Sequence, residues 1–173
     1  MPNPPLTLDE VNRMDEAAFV AAFGDIAEHS PWVAEAAFAF APFLDHAALV
    51  AAFHRAMAEM DREAQLALLR EHPDLAGKAA IAGSLAPESY NEQSGAGLDR
   101  MTSEEYAFFT DLNTRYRARH GIPFIRAVKG STKAQIIAAF QERLPNDPET
   151  EFQTALGQVQ RILRFRLEDR VAS

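Results

Sequence analysis

The chain has 173 residues, enough for one domain and too few for two that each keep a good core. Hydrophobic residues make up 47%, which excludes a disordered chain, and the net charge of −8 argues against a nucleic-acid surface, which needs a cationic stripe. There is no cysteine, so disulfide frameworks, thiolate nucleophiles and thiolate metal sites are all excluded. The same negative charge would repel a small anionic substrate at long range, so a site for one must carry a local cation. Met1 to Asp9 has prolines and acids where a signal peptide needs basic residues and an apolar run. No stretch approaches the ~20 apolar residues of a membrane span. The C-terminal Arg170-Val171-Ala172-Ser173 is not a peroxisomal address. A cytoplasmic protein without membrane or nucleic-acid partners is the expectation.

In chain order, helical periodicity dominates and strand alternation is almost absent. Thr7-Leu8-Asp9-Glu10 has capping-box spacing and predicts a short first helix. An alanine-rich segment from about Asp15 to Phe23 ends at Gly24, and Pro31 suits the first position of a third helix reaching about Phe40, before Pro42. From about His46 to Glu71 good helix formers predominate, with a break near Met60-Asp61. Glu71 to Gly97 brings His, Pro, Gly, Ser, Asn and Gln in quick succession and predicts a long irregular segment, the kind that often carries function.

Regularity returns with a second capping box at Thr102-Ser103-Glu104-Glu105 and a helix with Phe108, Leu112 and Tyr116 on one stripe, ending before Gly121. Gly121-Ile122-Pro123-Phe124-Ile125 is an extended connection, because Pro123 lacks a donor and biases Ile122 away from helix. Lys129-Gly130 is a turn, Ser131 or Thr132 caps a helix to about Leu144, and Asp147-Pro148 starts a long final helix to about Val171. No repeat or linker divides residues 1–173. The expected fold is all-α, a single compact domain of roughly seven or eight helices.

Few residues stand out chemically. Pro73 pushes His72 toward an extended conformation at a helix end, where an imidazole can act as general acid or base near neutral pH or simply cap the helix. Ser89 and Glu92 are three apart on one face of a helical turn, either as a capping box or, with Gln93 and the small residues after it, as a pocket wall. On the final helix Phe152, Leu156, Val159 and Leu163 form an apolar stripe that Arg166 continues. A guanidinium there needs a partner, either Glu92 or a ligand oxygen, unless the helix emerges from the core and Arg166 snorkels. There is no HExxH or other zinc-type cluster, no glycine-rich phosphate loop and no Gly-x-Ser-x-Gly elbow. What remains is His72, Ser89, Glu92, Gln93 and Arg166, with no metal and no cofactor signature.

Those residues, with Glu28-His29-Ser30-Pro31-Trp32-Val33-Ala34-Glu35, carry a resemblance that covers almost the whole chain. The marks are His72-Pro73-Asp74-Leu75-Ala76-Gly77-Lys78, Ser89 through Gln93 followed by Ala96-Gly97-Leu98, Leu112-Asn113 with Tyr116, Gly121-Ile122-Pro123-Phe124-Ile125, and Arg166-Leu167. The chain resembles the 2-oxo-4-hydroxy-4-carboxy-5-ureidoimidazoline (OHCU) decarboxylases of uric acid degradation. The resemblance implies an all-helical, often homodimeric carboxy-lyase that uses neither metal nor organic cofactor. It would release carbon dioxide from a small anionic ureidoimidazoline and yield (S)-allantoin. It also implies that His72 is catalytic, that Pro73 lines the site, and that Ser89, Glu92, Gln93 and Arg166 contact the substrate. Backbone groups of Phe124, Ile125, Arg126, Ala127 and Val128 would bind the ring. His120 stands where the family often has an aromatic residue. A helical interaction module, or an enzyme for another ureido or imidazoline acid, is the competing reading.

Overall fold

The computed structural model describes residues 3–77, 80 and 84–173. Side-chain caps open most of its helices. Thr7 accepts from Glu10 N and starts α1 (Leu8–Asn12), and Asp15 accepts from Ala18 N and starts α2 (Glu16–Phe23). Helix α3 is Trp32–Phe38, shorter than expected, with Pro31 as its N-cap rather than its first residue. Asp45 caps α4 (His46–Ala58) and Asp61 caps α5 (Arg62–Arg70), with the break between them where the sequence puts it. Helix α6 (Pro87–Gly95) has no side-chain cap but does have a proline in its first turn. Full capping boxes at Thr102 and Thr132 open α7 (Ser103–His120) and α8 (Lys133–Arg143). Helix α9 is Pro148–Arg170, and Asp147 Oδ1 accepts from Thr150 N at 3.0 Å in its first turn. The fold is all-α: nine helices and no strand occur among the described residues, with an isolated parallel bridge joining Leu6 and Val171.

Two readings are corrected by the structure. The segment from Glu71 to Gly97 is not irregular throughout, since α6 occupies Pro87–Gly95. Its buried positions are Ser89 and Gln93, so its helical period is written in polar residues and leaves no apolar stripe to read. On α7 the buried stripe is Phe109, Leu112, Asn113 and Tyr116, while Phe108 is exposed. Phe109 lies three before Leu112, so the core takes that spacing and Phe108 faces away.

The described residues group into two compact units, 1–71 with 160–173, and 72–159. In the first, α2 and α3 pack together and α3 packs on α4. Phe19 gathers Phe23, Phe38, Phe43 and Phe53 around it at ring-centroid distances of 4.8 to 6.0 Å. Burying each such ring contributes about 1.5–3 kcal/mol. In the second unit, Phe140 stacks on Phe124 at 3.7 Å, and Tyr116 meets both rings edge-on. Tyr116 donates to Glu151 Oε1 at 2.6 Å, and the same carboxylate takes Arg143 Nε at 2.8 Å and Asn146 Nδ2 at 3.0 Å. Burial, and then the bond to Glu151, push the Tyr116 hydroxyl well above its ordinary pKa, so it stays a donor. No helix among the described residues is long and apolar enough to cross a membrane.

Candidate active site

Helix α5 ends at Arg70 with Glu71 as C-cap, and His72 is the next residue and the first of the second unit. His72 is buried, at 5% exposure, and Pro73 and Asp74 are half-buried. The loop that follows holds Ala76 at φ 56°, in the left-handed region. For a residue with a Cβ that conformation costs about 1–2 kcal/mol, so other contacts must stabilise it.

Those contacts come from α6 and α7. Gln93 Oε1 accepts from Ala76 N at 2.9 Å, and its Nε2 donates to the Asp74 carbonyl at 3.3 Å. Asn113 Nδ2 donates to the Leu75 carbonyl at 2.9 Å. The Asp74 carboxylate pairs with Arg117, whose Nε and Nη2 both lie 2.9 Å from Oδ1. That last pair is largely exposed, so it is worth less than ~1 kcal/mol. The amides of Gln93 and Asn113 are buried, at 3% and 6% exposure. The other end of the Asn113 amide, Oδ1, is buried and has no hydrogen-bond partner among the described residues, and an orphan of that kind costs about 1–3 kcal/mol. A cleft of about 390 Å³ separates Pro73, Asp74 and Gly77 from the Tyr106, Thr110, Asn113, Thr114 and Arg117 side of α7.

Ser89 is buried one turn before Gln93 on the same face of α6, and Glu92 beside them is half-buried. The 124–128 segment is held by side chains as well. Arg143 lies over the Phe124 ring at 4.4 Å and donates from Nη1 to the Ile125 carbonyl at 2.6 Å, while Ala127 N donates to Gln158 Oε1 at 3.0 Å. Thus His72, Pro73, Ser89, Glu92, Gln93 and Phe124 to Val128 all belong to the second unit. Lys78, the last residue of the His-Pro motif, lies outside the described residues.

Arg166 belongs to the first unit. It is buried, at 5% exposure, and it pairs with Glu28: Nη2 lies 2.9 Å from Glu28 Oε1, and Nη1 donates to the Ile26 carbonyl at 3.0 Å. The sequence named Glu92 or a ligand oxygen as candidates for that role. One turn on, Arg170 donates to the Ala22 carbonyl and pairs with Asp25. Glu28 stood in the motif that carries the resemblance, but its acidity gave no hint of this partner. Asn113 was visible in the same way, as part of Leu112-Asn113, without a role. Nothing in the sequence flagged Arg143, Glu151 or Arg117. Among the described residues no three histidine, cysteine or carboxylate side chains gather into a metal-holding group.

The sequence pattern of the OHCU decarboxylases matches residues 12–168, nearly the full chain. The chain belongs to the OHCU decarboxylase family. The 2-oxo-4-hydroxy-4-carboxy-5-ureidoimidazoline decarboxylase of Haloferax volcanii is 44% identical over 168 residues, covering 97% of this chain and 98% of the relative. The bifunctional uric acid degradation protein PucL of Bacillus subtilis is 42% identical over 94% of this chain, which matches 32% of that longer protein. Among solved structures, a crystal structure of (S)-allantoin synthase superposes with a TM-score of 0.79 at 31% identity, covering 98% of this chain and 55% of that one. The family motifs His72 to Gly77 and Ser89 to Gln93 are the segments whose hydrogen bonds join the loop to α6.

Proposed function

We propose that this protein decarboxylates 2-oxo-4-hydroxy-4-carboxy-5-ureidoimidazoline to (S)-allantoin in uric acid degradation, by acid–base chemistry centred on His72. The observation that carries this reading is the family match over residues 12–168 together with a buried His72 at the head of a loop pinned by Gln93. The substrate's carboxylate is attached to a ring carbon next to a carbon–nitrogen double bond. As the carbon–carboxylate bond breaks, its electron pair becomes a new ring double bond and the imine electrons move onto nitrogen. Carbon dioxide leaves, the ring nitrogen takes a proton from solvent, the ring hydroxyl gives up its proton to become a carbonyl, and the carbon bearing the ureido group gains one. The chain's part is to orient the carboxylate, stabilise charge building on the ring and deliver that proton to one face.

His72 serves as the group that takes the hydroxyl proton and returns one to carbon. Ser89 and Glu92 are assigned to the ureido and ring polar atoms, and Pro73 to the wall beside them. Gln93 is assigned to the substrate contacts as well, in addition to its bonds to the loop. In the 124–128 segment, Arg143 donates to the Ile125 carbonyl, Ser131 N donates to the Val128 carbonyl and the Ala127 N–H donates to Gln158, so the remaining backbone groups of Phe124, Ile125, Arg126, Ala127 and Val128 are assigned to the ring. Arg166 is included as a substrate cation on the family pattern alone, and its pair with Glu28 gives it a stabilising role besides. A homodimer acting in the cytoplasm without a cofactor completes the proposal.

The test generates the intermediate in situ from urate with the two upstream enzymes and follows product by circular dichroism. Rapid appearance of one allantoin enantiomer is the expected result; slow racemic product, unchanged by adding the protein, refutes the proposal. His72→Asn should lose about 10²–10⁴-fold in rate, the usual worth of general acid–base catalysis. Full stereospecific activity in that variant would remove His72 from the mechanism.

A further inference from the structure

The geometry points to Asn113 as a positioning residue for His72, acting with Gln93 through the backbone of the loop rather than through the substrate. The inference rests on the decarboxylase reading above. Three polar groups of two consecutive peptide units, the Asp74 and Leu75 carbonyls and the Ala76 N–H, are each held by one of two buried amide side chains. The helices that supply these amides, α6 and α7, flank a loop that contains a left-handed alanine and would otherwise relax. Pro73, with its fixed φ, is the one residue between that clamped stretch and His72, so a rotation at Asp74 or Leu75 passes directly to the imidazole.

Two further features separate positioning from plain stabilisation. Asn113 leaves its own Oδ1 buried and unbonded among the described residues, a cost that a leucine of similar size would not bear. What it supplies in return is a single directed bond to the Leu75 carbonyl. Both clamps are also neutral. An amide does not titrate in the working pH range and adds no charge beside a histidine whose protonation must change during turnover.

The test measures kcat, KM and thermal midpoint for Asn113→Leu and Asn113→Asp, alongside the wild-type protein, in the coupled urate assay. Asn113→Leu should lower kcat about 10- to 100-fold, as expected when a reacting group is displaced by about an ångström, with KM changed less than about twofold. Asn113→Asp turns an oxygen toward the Leu75 carbonyl. Its ionised form should impair kcat similarly, while the protonated carboxyl at acid pH can donate again, so the ratio of variant to wild-type kcat should rise as pH falls. A kcat per folded enzyme within about twofold of wild type in either variant, or a ratio flat with pH in Asn113→Asp, overturns the inference. Failure of both variants to fold overturns it too, because positioning leaves the core intact. In each of these cases an active wild type leaves the proposed function standing; an inactive wild type removes the proposed function itself.

Discussion

Among the described residues, each of the two units holds one residue other than glycine in the left-handed region, His29 at φ 45° in the first and Ala76 at φ 56° in the second. The turns around them are held by different chemistry. Beside His29, Glu28 is buried at 3% exposure and pairs with Arg166, and Ser30 Oγ donates to the Glu28 carbonyl at 2.7 Å. Around Ala76, the buried bonds come from the uncharged amides of Gln93 and Asn113, and the charged pair of Asp74 with Arg117 is partly exposed. A buried ion pair is a strong but unforgiving anchor, because removing either member leaves an uncompensated charge. Neutral amides anchor less strongly but leave the electrostatics of a neighbouring histidine alone. The charged anchor ties segments 138 residues apart, and the neutral ones hold the backbone of the loop that follows the residue to which the chemistry is assigned.

Arg166→Ala is the largest expected break in that contrast. Taking the guanidinium away from the buried Glu28 carboxylate should cost about 3–5 kcal/mol, read by chemical denaturation. A substrate role for Arg166 predicts in addition a raised KM in protein that remains folded; a KM that stays at the wild-type value would confine Arg166 to structure. Tyr116→Phe is the second-unit counterpart. It removes one of three donors to a fully buried Glu151 and should cost about 1–3 kcal/mol at neutral pH. Because the folded-state pKa of Tyr116 is raised, that contribution is complete below the ordinary tyrosine value of ~10 and is lost as pH climbs past it, when the unfolded chain ionises first. The gap between Tyr116→Phe and wild type should therefore close in alkali, and a gap constant to high pH would mean that folding does not raise the hydroxyl's pKa.

The smallest effect sharpens the comparison of the strained turns themselves. His29 is exposed, so His29→Gly loses no packing while relieving a left-handed conformation. Set against the greater freedom of glycine in the unfolded chain, the net should be a stabilisation of up to about 1 kcal/mol, seen as a higher thermal midpoint. A lower midpoint would mean that the histidine side chain itself supports the turn. At Ala76 the same exchange would also delete a buried methyl, which is why it is not the cleaner probe.

Helix starts were legible because they are local. A threonine, serine or aspartate three residues before a free N–H is a short-range interaction, and Thr7, Thr102 and Thr132 all cap as their spacing indicates. Helix α6 was not, because periodicity is read from apolar residues and α6 buries Ser89 and Gln93. The site residues stood out as a motif, yet what Gln93 and Asn113 hold could not be read from it, since their bonds to the 74–76 backbone cross 17 to 38 residues.

The amino-acid order alone determined the all-helical class, most helix boundaries and the family. Each follows from contacts within a turn or two, or from motifs that survive as strings. Tertiary structure alone decided that Arg166 meets Glu28, that Tyr116 and Arg143 share Glu151, and that two amides clamp the loop after His72. A buried polar group must find a partner, but which one depends on where distant helices bring their side chains, and no local pattern encodes that distance.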